Sequence, residues 1–405
     1  MKVLFIHQNF PAQFLHLAPA LAADAKNDIR VLTTSKRPVP AGIKVHHYAI
    51  KRSSSENIHP WLVDMETKTI RAEAAYRAAM DLKKQGFTPD LIIAHPGWGE
   101  SLFLKEVWPT AKLALYCEFY YQTHGADTNF DPEFTAHEQG LACRLKLKNA
   151  NFDLHLLQAD AGLSPTHYQR SVFPDYFQSK ISVIHDGIDT NLLKPNPAVT
   201  MQLNDKTITR DEQIITFVNR NLEPMRGYHI FMRALPEILK RNPKARVIIV
   251  GGDDVSYGSK PPPGTTWKEL FLQEVKSQLD MNRVHFVGKL SYPNFIQLLQ
   301  ISSMHVYLTY PFVLSWSLLE AMSVGCAIVG SNTSPVQEVI KHNGTGLLVD
   351  FFDKQALVEQ VTHLLKNPQQ REQLGNAARK FVLRNYDLKS ECLPAQKQWL
   401  EGLLN

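Results

Sequence analysis

Residues 310–330, YPFVLSWSLLEAMSVGCAIVG, constrain the fold of this chain more than any other stretch. An apolar run ending at Leu308 reads as a strand. Ser315 or Ser317 can cap a helix start, LLEAM is helical, and Gly325 can stop that helix before a second strand over 327–329. In a parallel α/β sheet the loop of such a unit lies at the carboxyl edge, where backbone N–H groups opening a helix favour an anion such as phosphate. Glu320, one turn into an otherwise apolar helix, either faces solvent or a base, or accepts hydrogen bonds from ligand hydroxyls beside that phosphate.

A chain of 405 residues exceeds what one hydrophobic core organises, so two domains are expected. With 44% hydrophobic and 20% charged residues the chain is globular rather than disordered. Cys117, Cys143, Cys326 and Cys392 show neither paired nor metal-ligand spacing, which argues against a disulfide framework and for a reducing compartment. The opening MKVLFIHQNF is too short an apolar run for a signal peptide, and no stretch approaches the ~20 apolar residues of a membrane span. The expectation is a cytoplasmic protein with at most peripheral contact at the inner membrane face. A net charge of +5 suits anionic ligands or lipid head groups; without a clustered basic arm it does not point to nucleic acid.

Residues 2–7 read as a buried strand, followed by the loop 8–13, an amphipathic helix, and a strand over 28–33. The first turn, QNFPAQF, lacks the Gly-x-Gly-x-x-Gly cradle, which argues against a dinucleotide-dependent dehydrogenase. Residues 69–85 form a basic amphipathic helix; its basic face, with Arg144–Lys148, either rests on anionic lipid or is simply solvated. Strands over 90–94 and 112–117 end at His95 and Glu118, the edge where open α/β sheets bind ligands. His95, Glu118 and the following aromatic segment with His124 form the first candidate wall; the competing role for a histidine there is a structural hydrogen bond. A helix over 134–148, a short strand around 155–157 and a strand over 181–184 complete this half.

The α/β rhythm restarts with a strand over 213–218 that ends at NRNLEPMRG, a helix over 228–241, and a strand over 246–250 ending in Gly251, Gly252, Asp253 and Asp254. A Gly/Pro-rich loop spans 255–267, a strand 284–287, a helix 292–301 and a strand 305–309. Helices over 355–366, 369–384 and 388–404 close the chain. The domain organisation expected is 1–187, completed by the final helix 388–405; a linker 188–205; and 206–385. Both domains are α/β and doubly wound, facing one another.

Arg220 and Arg226 lie beside a strand end and just before Gly227, where two guanidinium groups can neutralise a diphosphate. The segment GGDDVSYGSK departs from the phosphate-loop pattern, with five residues between Gly252 and Gly258 instead of four and no evident helix after it. The histidines, including His46 and His47, show no metal spacing, and no nucleophile elbow is present.

These residues carry a resemblance. ISVIHDGIDTNLLKP over 181–195 resembles the hinge signature of retaining glycosyltransferases of the GT-B fold, family four, and NRNLEPMRG resembles that family's phosphate motif. LLEAMSVGCAIVGSNTSPVQEVIKHNGTGLLV resembles its donor-site block. The resemblance implies two Rossmann-like domains, a nucleotide-sugar donor held mainly by the C-terminal one and an acceptor held mainly by the N-terminal one. It also implies retention of anomeric configuration without an obligatory metal, a crossing C-terminal helix, and domain closure about 186–205. By position, Arg220 and Arg226 would hold the diphosphate, with Arg226 where the family usually has Lys. The backbone of Ser315, Trp316, Ser317 and Leu318 would help, Glu320 would bind the ribose hydroxyls, and Gly252 and Asp253 would line the donor site. Glu118 and His95 would orient the sugar or acceptor. Two departures stand out: Phe312 occupies the position of the family's first Glu, and Glu118 that of a frequent His.

The leading expectation is a glycosyltransferase of polysaccharide biosynthesis, acting on a glycan or lipid-linked acceptor. The two departures motivate a rival, a degenerate homologue that binds a nucleotide sugar or a partner without turnover. A second rival is a nucleotide-sugar epimerase of the same fold.

Overall fold

The computed structural model describes residues 1–135, 139–203 and 206–404. Two compact units divide the chain: Met1–Thr128 with Ala136–Gly187 and Lys389–Asn405, and Asn129–Thr135 with Ile188–Leu388.

The first unit is built on a seven-stranded sheet of order β3-β2-β1-β4-β5-β6-β7. Its strands are β1 (Lys2–Ile6), β2 (Asp28–Thr33), β3 (Ile43–His47), β4 (Leu91–Ala94), β5 (Lys112–Tyr116), β6 (Ala161–Ser164) and β7 (Ile181–Val183), and every pairing is parallel. Runs such as VLFI and LIIA are apolar without alternation because a parallel sheet is covered on both faces. In register, Val3 faces Ile29 on one side and Leu91 on the other. Chain order reverses between β1 and β4, the switch point at which such sheets open a crevice. The last helix, Leu393–Leu404, returns to this unit, where Leu400 is fully buried and Trp399 and Leu403 pack on the core.

The second unit carries a six-stranded parallel sheet of order β12-β11-β10-β13-β14-β15 and a two-stranded antiparallel hairpin. The hairpin is β8 (Thr200–Leu203) and β9 (Lys206–Thr209); the sheet strands are β10 (Ile214–Asn221), β11 (Arg246–Gly252), β12 (Val284–Phe286), β13 (Met304–Tyr307), β14 (Ala327–Ser331) and β15 (Leu347–Val349). Its switch point lies between β10 and β13. Gly227, with φ of +69°, opens the Tyr228–Arg241 helix, and a Cβ there would stand 2.3 Å from Leu308 Cβ. The doubly wound α/β expectation therefore holds for both sheets.

Several local expectations are corrected. The strand expected around 155–157 is instead the end of a helix, Leu141–Gln158, because Leu145, Asn149, Phe152 and Leu156 fall on one buried face at helical spacing. Residues 136–138 of the helix expected over 134–148 lie outside the described residues. A helix does follow the 255–267 loop: Thr266 caps Trp267–Val275 and Glu269 closes a capping box, a signal present in the sequence. β3 was not anticipated, and residues read as linker behave as core, with Ile188 and Leu193 buried in the second unit.

Truncating the returning helix tests its role. Leu400→Ala is expected to destabilise the first unit by about 2–5 kcal/mol, read by urea denaturation.

Candidate active site

The second unit assembles its polar groups across the β10/β13 switch point. β10 runs to Asn221, farther than the sequence indicates, and its register with β11 breaks between Val218 and Asn221. Arg220 thus sits inside an irregular strand end and is exposed. Arg226, only 6% exposed, donates from Nη1 to Thr309 Oγ1 at 2.8 Å and to the Val313 carbonyl at 2.9 Å. Its guanidinium stands 5.3 Å from the Tyr257 ring and 5.6 Å from the Phe312 ring, which pack together with centroids 5.0 Å apart. Phe312 therefore supplies a ring face where the family has a carboxylate. Among the described residues Arg226 has no ion-pair partner.

Glu223, not anticipated, is 1% exposed and accepts the amides of Ser256 and Tyr257 at 3.2 and 3.0 Å. Burial pushes its pKa up to about 7. Among the described residues its other oxygen finds no hydrogen-bond partner, nor does Asn221 Oδ1. The turn it holds places Tyr257 against Arg226. Gly252 lies within β11, where a Cβ would come within 2.3 Å of Lys289 Cε and 2.6 Å of Asn221 Oδ1. Asp253 is half exposed and pairs with Lys268 at 3.5 Å.

The Trp316–Ser323 helix begins as expected, with Ser315 Oγ accepting the Ser317 amide. Its first turn is less open than expected: Ser315 N–H donates to Tyr307 Oη at 2.9 Å and Leu318 N–H to the Ser315 carbonyl at 3.2 Å. An incoming phosphate would have to take the Ser317 amide from the Ser315 hydroxyl. Trp316 is exposed, whereas Leu318 is buried core. Glu320 is 8% exposed, accepts the Tyr292 hydroxyl at 2.7 Å, and is pushed up to about 7 by burial.

In the first unit the ends of β1, β4 and β5 bring four side chains into one chain of hydrogen bonds. His7 Nδ1 accepts the Asn9 amide at 3.0 Å and His95 Nδ1 accepts the Gly97 amide at 3.1 Å, so each neutral imidazole carries its proton on Nε2. His7 Nε2 then donates to Gln13 Oε1 at 2.9 Å, and Gln13 Nε2 to Glu118 Oε1 at 3.0 Å. His95 Nε2 donates to Glu118 Oε2 at 3.1 Å. Burial raises the Glu118 pKa, but the bonds from His95 and Gln13 outweigh it and hold the carboxyl below its ordinary value. Its side chain keeps 32% exposure, enough to reach a ligand. Burial first, then the neighbouring His95, brings His7 down to about 3, so it stays neutral. The structure joins the expected pair His95 and Glu118; His7 and Gln13 were missed, although both flank the first strand's loop. His124 is exposed and, among the described residues, hydrogen-bonds Thr123.

Among the described residues one group could ligate a metal, Asp131, Glu133 and His229. Its acids are already satisfied. Asp131 Oδ2 accepts His229 Nε2 at 2.9 Å and the Tyr310 hydroxyl at 2.8 Å, and Glu133 is bidentate to Arg233. The cluster clamps the Asn129–Thr135 segment within the second unit. The basic helix is Val63–Lys84, and several basic groups turn inward: Lys83 donates to the Val107 carbonyl, and Lys148 lies 3.5 Å from the Tyr121 ring. No helix among the described residues is long and apolar enough to cross a membrane.

Two family models match the chain, the glycosyl transferase family 4 group over residues 25–193 and glycosyl transferases group 1 over residues 201–381. The chain belongs to this glycosyltransferase family. This family member is 23% identical over 238 residues to GDP-mannose-dependent alpha-(1-6)-phosphatidylinositol monomannoside mannosyltransferase of Mycolicibacterium smegmatis, covering 57% of this chain and 60% of the relative. It is 32% identical over 125 residues to N-acetyl-alpha-D-glucosaminyl L-malate synthase of Bacillus anthracis, covering 31% of this chain and 32% of the relative. The chain spans about half the length of the curated relatives it matches. In fold it matches the UDP complex of HepE from Anabaena, with a TM-score of 0.68 at 17% identity over 99% of this chain and 100% of that one. Sucrose-phosphate synthase from Thermosynechococcus elongatus gives 0.72 at 18% identity, over 99% and 98%. These glycosyltransferases share the GT-B fold with this chain.

The buried Glu320 has a measurable signature. Its folded pKa of about 7 exceeds its unfolded value, so its share of stability is lost as pH rises through that window. Glu320→Gln is expected to gain up to about 3 kcal/mol relative to wild type between about pH 5 and about pH 8, read by urea unfolding, while Glu223 keeps a residual slope in the variant.

Proposed function

We propose that the protein is a retaining glycosyltransferase, moving a hexose-type sugar from a nucleoside diphosphate sugar to a hydroxyl of a glycan or lipid-linked acceptor. The observation that carries this reading is Arg226, a buried guanidinium with no ion-pair partner among the described residues, at the switch point of a Rossmann-like sheet. Burying such a charge is costly, and the one carboxyl that acts on it electrostatically, Glu223, is itself pushed up to about 7 by burial, so a diphosphate would supply a fuller counter-charge.

In this reading the second unit holds the donor. Arg226 and Arg220 take the diphosphate, Glu320 and Tyr292 meet the ribose, and Gly252 and Asp253 border the sugar. The first unit holds the acceptor, with Glu118 fixed by His95 and Gln13 to accept sugar hydroxyls. The bond from the anomeric carbon to the phosphate oxygen breaks, and its electron pair leaves with the nucleoside diphosphate. The acceptor oxygen bonds to the same face, and its proton passes to the departing phosphate oxygen. The arginines stabilise that developing charge, and an electrostatic contact of this kind is worth about 10²–10³ in rate. No step requires a protein nucleophile or a metal. A lipid-linked acceptor would bring the protein to the surface of a membrane from the cytoplasm.

HepE is described in complex with UDP, and the mycobacterial relative is named for GDP-mannose. A thermal-shift screen against UDP, GDP, ADP, TDP and CMP therefore comes first. One diphosphate is expected to raise the melting temperature. Arg220→Ala is expected to weaken that nucleotide about tenfold or more and to cut turnover by orders of magnitude, leaving unliganded melting unchanged because Arg220 is exposed. A shift without turnover would replace the reading by a non-catalytic binder, and conversion of the donor sugar without acceptor by an epimerase.

A further inference from the structure

The first unit contains a cavity of about 430 Å³ between the segment after β3 and the start of the Val63–Lys84 helix. Arg52 and Arg71, with the hydroxyl residues Ser53, Ser54 and Thr67 and the isoleucines Ile50 and Ile70, line it, and it opens to solvent beside the exposed Arg52 and Ile50. None of its lining residues is acidic. Two acids lie nearby without a direct hydrogen bond to either arginine: Glu66 takes both the amide and the hydroxyl of Ser55 at 2.8 Å and acts on Arg52 only electrostatically, and Glu100 takes the Tyr48 hydroxyl at 3.0 Å.

Arg71 is held from behind. Its Nη1 donates to Gln8 Oε1 and stands 3.9 Å from Glu100. Burial raises the pKa of Glu100, and the charge of Arg71 opposes that rise. The other guanidinium nitrogens of Arg71, and all those of Arg52, have no hydrogen-bond partner among the described residues. Two positive groups thus border one recess with free donors. Gln8 adjoins His7, which begins the hydrogen-bonded chain through Gln13 to Glu118, and Glu100 lies shortly beyond His95. Through Gln8 and Glu100, Arg71 is tied to the same loops after β1 and β4 that carry the candidate acceptor groups of this unit.

We propose that this cavity seats a phosphate group of the acceptor, with Arg52 and Arg71 binding its oxygens and the Ser53 hydroxyl meeting a neighbouring hydroxyl, while Ser54 and Thr67, bonded to each other at 2.6 Å, form part of the wall. The assignment rests on the reading of the first unit as the acceptor half. Tetrahedral phosphate offers several acceptor oxygens to donors on opposite walls, which suits the arrangement. The phosphate is either that of a free sugar or polyol phosphate or that of a lipid head group.

Binding is measured by isothermal titration with glucose 6-phosphate, glucose and inorganic phosphate, and by sedimentation with phosphatidylcholine vesicles with and without phosphatidylinositol. Wild type, Arg52→Ala, Arg52→Glu and Arg220→Ala are compared. Wild type is expected to bind glucose 6-phosphate or phosphatidylinositol vesicles, and not glucose or plain vesicles. Arg52→Ala should lose about tenfold in affinity and Arg52→Glu more, whereas Arg220→Ala should bind as wild type. Binding to the soluble probe identifies a free phosphate acceptor; binding to vesicles alone identifies a lipid head group. No phosphate-dependent binding, or binding that Arg220→Ala abolishes and Arg52→Ala spares, overturns the proposal. Since nucleotide binding is read separately, a protein that responds to a nucleoside diphosphate but not to these probes refutes the phosphate seat alone.

Discussion

Arg226 combines near-complete burial with hydrogen bonds only to neutral oxygens, a hydroxyl and a carbonyl, and with ring faces at Tyr257 and Phe312. Removing a guanidinium from water costs several kcal/mol even after relaxation, so this arrangement persists only because the surrounding fold is rigid enough to hold it. The rigidity has visible sources. Gly227 lets the chain turn directly after Arg226 against Leu308, and the Tyr310 amide, donating to the Met225 carbonyl at 3.0 Å, holds Thr309 beside it. Glu223 pins the 256–257 turn that supplies one aromatic wall. Phe312 presents a ring face to the guanidinium, and the Glu223 carboxyl acts on it electrostatically without a direct ion pair among the described residues.

The first unit solves a different problem. Glu118 sits at a partly covered strand end, where the His95 imidazole and the Gln13 amide donate to it and His7 in turn donates to Gln13. Backbone amides of Asn9 and Gly97 set the tautomers by occupying both Nδ1 atoms. Direction in this chain is therefore built into the loops that follow β1 and β4, not into the histidines themselves.

Much of this was legible in the sequence because its signals are local. Apolar runs marked most strands, Ser315 and Gly325 bounded their helix, and His95, Glu118, Arg220 and Arg226 fell beside strand ends. The misses have equally physical causes. Residues 155–157 look strand-like alone, and only the buried face shared with Leu145 and Phe152 makes them helical. β3 is an edge strand with a mixed pattern, so its apolar signal is weak. Glu223 and Gln13 are polar residues in loops; nothing in their neighbours announces that distant amides and carboxylates will meet them.

The sequence by itself determined the two α/β sheets, the residues at their carboxyl edges and the family motifs, because strand hydrophobicity, helix caps and strand-end positions depend on neighbours in the chain. Tertiary structure alone decided that Asn129–Thr135, embedded in the first half, packs with the second unit through Asp131, His229 and Tyr310. It also decided that Arg226 is buried without an ion-pair partner among the described residues while Arg220 is exposed, and that Arg52 and Arg71 share one cavity. Burial and charge pairing arise between residues far apart in sequence, and their energies are set by the dielectric and partners that only folding creates.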